Sequence, residues 1–436
     1  MRSMKNIVLL LVELQVKRFL KRHKPKIVAV TGSVGKTSTK LAITTVLGQR
    51  FKVLSQEGNY NAEVSVPMTI FDLPMPPTAK LKSPFEWLKQ AWYMELKIRR
   101  PFHFDIIVLE LGTDKPGDIE HFRKYLRPEI GVVTAVTPEH MQFFKTIDAV
   151  AQEELAVANF SELAVINRDD IDETFARYVN NSNIDTYGTS GVAEYHYLIE
   201  NFEPGKGFAG KFVSPEFGEQ QVSLNLAGEH NVKAAVAAGV VGIKMGLGAQ
   251  EIVNGLAAIK PVKGRMNLLR GLLDSVIIDD TYNSSPAAAV AALQTLYLFP
   301  NKQKIAIMGS MNELGEFSQK AHEQVGTMCD PTLLDWVVTI GDEAGKFLAP
   351  AAANRGCQIR SFQSPYEAGA FVHSVLHPNA TVLAKGSQDK VFAEEAVKIL
   401  LHSTEDEKQL VRQGAEWLER KEALFDRFAG IEIPKG

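Results

Sequence analysis

Val28-Ala29-Val30-Thr31-Gly32-Ser33-Val34-Gly35-Lys36-Thr37-Ser38 is an apolar run opening into Gly-x-x-Gly-Lys-Thr. This is how a strand delivers a phosphate-binding loop to the start of a helix. Gly32 and Gly35 let backbone N–H groups turn toward phosphate oxygens, Lys36 supplies a point charge, and the Thr37 hydroxyl suits Mg²⁺. Thr31, Ser33 and Ser38 complete the stretch. The glycine that usually stands five positions before the second one is replaced by Val30, so the loop is a shortened variant. A nucleoside triphosphate is the expected ligand.

The same βα rhythm continues outward. Apolar β-rich runs recur at Ile27–Val30, Ile106–Leu109, Gly131–Val136 and Leu163–Ile166, with room for a helix between each pair, which predicts a parallel sheet. The stretch 81–100 predicts an amphipathic helix whose aromatics pack inward. Short alternating runs over Tyr195–Leu226 predict an antiparallel patch, and the alanine-rich Asn231–Gly246 a helix. Past Lys260-Pro-Val-Lys-Gly264, which reads as a linker, a second rhythm starts at Val276–Ile278 and continues at Lys304–Met308, Trp336–Ile340 and Thr381–Ala384. The expected fold class is α/β: a P-loop parallel-sheet ATPase domain over 26–262, then a Rossmann-like α/β domain over 263–436.

At 436 residues, 45% hydrophobic and 23% charged, the chain can bury real cores in two to three domains. Its 48 basic and 51 acidic residues give no electrostatic case for nucleic acid. Two cysteines in unrelated contexts, Cys329 and Cys357, fit a reducing, cytoplasmic compartment and exclude a four-cysteine zinc site. The apolar Ile7–Val12, followed by Lys17, Arg18, Lys21, Arg22, His23 and Lys24, is far shorter than the about 20 residues that span a bilayer. Residues 1–25 read as a basic amphipathic helix, either packed over the next domain or lying peripherally on the inner face of a membrane.

Downstream, Ile106-Ile-Val-Leu-Glu110-Leu-Gly112 puts a carboxylate at a strand's carboxyl end, where open parallel sheets bind ligands. Such a group can coordinate the Mg²⁺ bridging terminal phosphates. The next strand ends in Pro138-Glu-His140, and Glu153-Glu154 follows on a helix. A lone histidine or a helical acidic pair is ordinarily structural; convergence on one phosphate edge is what distinguishes these.

Together with Gly58-Asn-Tyr-Asn61, Gly228-Glu-His-Asn231, Gly264-Arg265, Asp279-Asp-Thr-Tyr-Asn283-Ser-Ser-Pro286 and Lys385-Gly-Ser387, these ordered motifs make the chain resemble the Mur ligases. That family forms amide bonds with ATP in peptidoglycan assembly, and the match is closest to its D-alanyl-D-alanine-adding members, helped by Ile307-Met-Gly-Ser-Met-Asn312-Glu-Leu-Gly315-Glu316 with His322 after it. The resemblance implies activation of a muramoyl-peptide carboxylate by ATP, then attack by an amine, with two Mg²⁺ ions. It implies Lys36, Glu110, His140 and Arg265 as catalytic; Thr37, Glu110, His140 and Glu154 as metal ligands; and Asn59, His230, Asn231, Arg265, Asp279, Tyr282 and Asn283 on the nucleotide. Asn61, Lys385 and Ser387 would meet substrate. Most relatives have a carbamylated lysine where Glu154 stands, with Glu153 as the neighbouring alternative. The usual Asn-Asn-x-x-Gly appears as Asn61-Ala62-Glu63-Val64-Ser65, and Ala234 replaces an asparagine. The family's N-terminal UDP-binding domain is not found before the P-loop strand, which implies a different seat for the acceptor or a partner that supplies one. Two alternatives stay open: another acid and amine pair, or a nucleotide-binding scaffold that does not ligate.

Overall fold

The computed structural model describes residues 2–56, 61–76 and 83–425. Its first sheet has nine strands in the order β2-β3-β1-β4-β5-β6-β7-β8-β9. These are β1 (Lys26–Thr31), β2 (Val53–Leu54), β3 (Ile106–Glu110), β4 (Ile130–Val133), β5 (Leu163–Asn167), β6 (Ile184–Gly188), β7 (Tyr195–Glu203), β8 (Gly207–Ser214) and β9 (Gly218–Leu224). Strands β2 through β7 pair in parallel; β7, β8 and β9 are antiparallel, as the alternating pattern predicts.

Side chains alternate across a strand. Val28 and Val30 of β1 therefore enter one core layer, beneath α2 (Lys36–Leu47), while Ile27 and Ala29 enter the other. Sandwiching on both faces explains why β1, β3 and β4 are buried almost throughout. The second layer is covered by α1 (Arg2–His23), α3 (Ser65–Ile70) and α4 (Pro84–Arg99). Val12, Val16 and Phe19 of α1 recur at helical spacing and are buried, with Phe19 edge-on to Phe71 at 4.9 Å and to Phe102 at 5.0 Å. One face of α1 is thus packed, each such side chain contributing about 1.5–3 kcal/mol. Helix α4 departs from expectation: Trp87 is partly buried, but Phe85, Leu88 and Trp92 stand out from the surface.

The second sheet has six strands in the order β10-β11-β15-β12-β13-β14: β10 (Asn267–Arg270), β11 (Val276–Asp280), β12 (Lys304–Gly309), β13 (Trp336–Ile340), β14 (Ile359–Phe362) and β15 (Thr381–Lys385). All pairs are parallel except β10 with β11. Because β15 sits between β11 and β12, the segments after β11 and β15 emerge side by side at the carboxyl edge, facing the P-loop across a cleft.

Candidate active site

The P-loop is stitched to the end of β4. Gly32 has φ of 128°, and a Cβ there would meet Thr134 Oγ1 at 2.1 Å, so only glycine allows the approach. Thr134 donates its hydroxyl to Val34 O at 2.6 Å, Ser33 N donates to Ala135 O at 2.9 Å, and Thr137 N donates to Ser33 Oγ at 3.0 Å. These bonds end β4 at Val133 rather than at the expected Val136.

Lys36 donates to the carbonyls of Gly32 and Ser33 and lies 3.7 Å from Glu139. Burial opposes its charge, but Glu139, Glu154 and Glu110 outweigh it and raise its pKa. Thr37 Oγ1 is 3.3 Å from Glu110 Oε1, and Asn61 Nδ2 is 3.4 Å from the same oxygen. The other oxygen, Glu110 Oε2, is buried without a hydrogen-bond partner and lies 3.4 Å from the Lys40 ammonium. That carboxylate beside the Thr37 hydroxyl is a hard-oxygen pair that fits one Mg²⁺. Lys40 escaped the sequence reading, although its place one turn beyond Lys36 was a signal for it.

His140 leaves the tip of the segment after β4 with φ of 50°. Its Nδ1 is 2.9 Å from Glu313 Oε2, which reaches over from the second sheet. Burial lowers the His140 pKa, but Glu313 and Glu139 raise it more. Two expected metal ligands therefore do not join Glu110. His140 faces Glu313, and Glu154, on α7 after the short helices α5 (Asp118–Phe122) and α6 (Met141–Phe144), turns behind the P-loop. Helix α7 spans Ile147–Glu154. Glu154 accepts from the Thr31 hydroxyl and from Gly32 N, and burial raises its pKa against the pull of Lys36. Among the described residues no three His, Cys, Asp or Glu side chains converge as a metal site. Glu153 turns the other way, accepting from Gly117 N and Ile119 N at 2.6 Å each at the start of α5.

From the hinge, Arg265 Nη2 donates to Thr37 Oγ1 at 3.1 Å, its guanidinium lies 4.2 Å from the Tyr282 ring centroid, and its Nε is buried without a partner. Lys385 pairs with Asp280 at 2.6 Å and donates to Asn283 O at 2.9 Å. Lys36, Thr37, Glu110, His140, Arg265, Tyr282, Asn283 and Lys385 all line one cavity of about 1230 Å³, as do Asn61, Ser33, Gly35, Ser38 and His230. The ring nitrogen Nδ1 of His230 is buried and unpartnered.

Other expected contacts stand behind this wall. Asp279 is fully buried, accepts from Gly264 N at 3.1 Å and from the Thr281 hydroxyl at 2.6 Å, and burial raises its pKa to about 6. It secures the hinge instead of facing the cavity. Asn231, at the start of α8 (Glu229–Lys244), donates to Ala227 O at 2.9 Å. Ser387 accepts from Asn312 N at 3.0 Å and braces the loop carrying Glu313. His322 is wholly buried, its Nε2 accepting from Met311 N at 2.9 Å, so it is a packing group. Asn59, with Gly58 and Tyr60, lies outside the described residues.

Arg412 was also missed. It donates to the carbonyls of Thr281 and Tyr282 and pairs with Glu394 at 2.7 Å, while Lys421 on the helix Ala415–Phe425 lies 3.0 Å from Glu394 and donates to Arg412 O at 2.9 Å.

The Mur ligase middle domain matches residues 94–242, and the Mur ligase, glutamate ligase domain matches residues 264–388. A Synechocystis UDP-N-acetylmuramoyl-tripeptide--D-alanyl-D-alanine ligase is 30% identical over 366 residues, covering 83% of this chain and 71% of that protein. The chain belongs to the Mur ligase family. A second such ligase, from Bacillus subtilis, is 27% identical over 343 residues, covering 77% of this chain and 67% of that one. Among solved Mur ligases, MurF from Acinetobacter baumannii superposes with a TM-score of 0.75 at 24% identity, covering 91% of this chain and 81% of its own. MurF from Thermotoga maritima in complex with ADP gives 0.72 at 24% identity, covering 90% and 82%. At that identity the likeness speaks to the Mur ligase fold.

Proposed function

We propose that this chain is an ATP-dependent carboxylate–amine ligase that adds D-alanyl-D-alanine to a muramoyl-tripeptide precursor in the cytoplasm. Residues 26–262 form its ATP-binding part and residues 263–436 the part that closes over it. The observation that carries this reading is the single cavity in which Lys36, Thr37 and Glu110 of one sheet meet Arg265, Asn283 and Lys385 of the other. A protein that only bound nucleotide would not need the second wall.

In the proposed reaction a carboxylate oxygen of the acceptor attacks the γ-phosphorus of ATP, the bond to the β-phosphate oxygen breaks, and ADP leaves. The uncharged amine then attacks the acyl carbon, the acyl C–O bond to phosphate breaks, and phosphate departs with the proton the new amide nitrogen gives up. Phosphoryl transfer needs alignment and charge neutralisation more than covalent help. The P-loop N–H groups and Lys36 hold the phosphates, Arg265 approaches the transferred group from the hinge, and the facing walls keep water from the acyl phosphate. Thr37 and Glu110 would hold a Mg²⁺ that neutralises charge on the terminal phosphates. His140 and Glu154 are the residues to which the family resemblance assigns a second ion.

The test is phosphate release from ATP and Mg²⁺, with and without UDP-muramoyl-tripeptide and D-alanyl-D-alanine, followed by product mass. Release that needs both substrates, with a gain of one dipeptide, is expected. Release indifferent to the amine would sink the ligase reading, and stimulation by other acids and amines alone would sink the substrate.

The opposed directions of Glu153 and Glu154 give a paired expectation. Glu154→Gln should cut ligation roughly 10–100-fold, since it alters the charge behind the P-loop, and should cost about 1–2 kcal/mol because the Thr31 hydroxyl and Gly32 N lose a charged acceptor. Glu153→Gln should cost a similar amount of stability, because Gly117 N and Ile119 N lose theirs, while leaving ligation within about threefold of the parent. Equal effects of the two substitutions on ligation would refute the assignment.

A further inference from the structure

Helices α1 and α4 lie side by side and parallel. Gln15 donates to Ala91 O at 3.0 Å, Arg18 pairs with Glu95 at 2.8 Å, and Arg22 reaches Arg99 O at 3.5 Å, so partners advance together along both helices. In that register Leu11 falls beside Leu88. Both side chains are exposed, at 54% and 70%, and Leu10, Phe85 and Trp92 are exposed with them. An apolar patch made by two neighbouring helices is unusual for a surface with no partner.

Charge is segregated along the same helices. The outward apolar residues occupy the N-terminal halves, where the exposed Lys89 is paired with Glu86 at 4.0 Å, and exposed Lys17, Lys21 and Lys24 follow toward the other end. The nearby acids are already matched: Glu13 lies 3.0 Å from His121, Glu95 is held by Arg18 and Arg99, and Glu86 is paired with Lys89 at 4.0 Å. The surplus is therefore cationic in a chain whose net charge is −3. Tyr93 and Trp92 sit where the apolar half gives way to the basic one, the place amphipathic rings take at a headgroup boundary. A protein partner's face would be apolar at its centre with polar groups around the rim; here the two characters divide along an axis. No described helix is long and apolar enough to cross a membrane.

We propose that the N-terminal halves of α1 and α4 seat this protein on an anionic phospholipid surface, with leucines and aromatics in the acyl boundary and lysines among the headgroups. The contact of Glu13 with His121 gives the orientation. His121 belongs to α5, which follows the carboxyl end of β3, so the apolar halves rise toward the edge of the sheet that holds the cleft.

The test is co-sedimentation of the full chain with vesicles of phosphatidylglycerol and phosphatidylcholine in equal parts, against phosphatidylcholine alone. Binding to the mixed vesicles is expected, weakening by about tenfold or more in pure phosphatidylcholine or high salt. Leu88→Ser with Trp92→Ser should weaken it by about tenfold or more, and so should Lys17→Glu with Lys21→Glu. All four positions are exposed, so circular dichroism should match the parent. No binding to mixed vesicles, or binding by both double variants equal to the parent's, would overturn the proposal. So would a dimer in lipid-free solution that the Leu88 and Trp92 changes convert to monomer, which would give the patch to a second copy. Vesicle binding is read without substrate, so it fails or succeeds apart from the ligase reading.

Discussion

Lys36→Met should lower ADP formation by about 10³-fold or more while leaving unfolding within roughly 1–2 kcal/mol of the parent. The Lys36 side chain touches two carbonyls of its own loop and Glu139, none of which belongs to a core layer. The loop's shape comes from Thr134, Ser33 and the left-handed Gly32, which the substitution spares. What is lost is a buried positive charge whose pKa Glu139, Glu154 and Glu110 raise against the effect of burial, placed where phosphate charge must be neutralised. Steady-state kinetics with urea unfolding separates the two effects. A variant within tenfold of the parent in rate would remove Lys36 from the proposed chemistry.

Lys40→Met should be the more damaging change to the fold. Lys40 and Glu110 are each about 2% exposed and lie 3.4 Å apart, and Lys40 also donates to Gln56 O at 2.9 Å. Removing one partner of a buried pair leaves the other charge uncompensated, at a cost of about 3–5 kcal/mol. Adding Glu110→Gln should restore most of that stability, because the orphaned charge disappears, yet leave the protein inactive, because the proposed Mg²⁺ ligand disappears with it. Recovered stability with recovered activity would show that Glu110 is structural, and Lys40→Met within 1 kcal/mol of the parent would show that the pair is not coupled.

Phosphate chemistry made much of the site legible. A loop that must turn N–H groups toward an anion needs glycines at set spacing, so Gly32, Gly35, Lys36 and Thr37 could be read along the chain. Glu110 and His140 could be placed at the carboxyl edge once the strands before them were recognised. Directions of side chains were not legible. Adjacent residues on a helix point apart, which is why Glu153 and Glu154 stayed ambiguous until α7 was seen between α5 and the P-loop. Asp279 and Asp280 are consecutive on a strand and face opposite ways, one to the hinge and one to Lys385. Lys40, Glu313 and Arg412 act through partners distant in sequence. Strand β2, with only Val53 and Leu54, is too short to announce itself.

The tie from Arg412 to the backbone of Thr281 and Tyr282 has a consequence for how the protein is made. Both sheets are complete by residue 385, yet the loop that carries Tyr282, on which Arg265 stacks, is fastened by a residue translated later and anchored in turn by Lys421. A nascent chain halted between those points has its strands but not the brace of its nucleotide-side wall. Assembly of the cleft thus waits on the helix Ala415–Phe425, so that chains that have not reached it are poorly equipped to spend ATP.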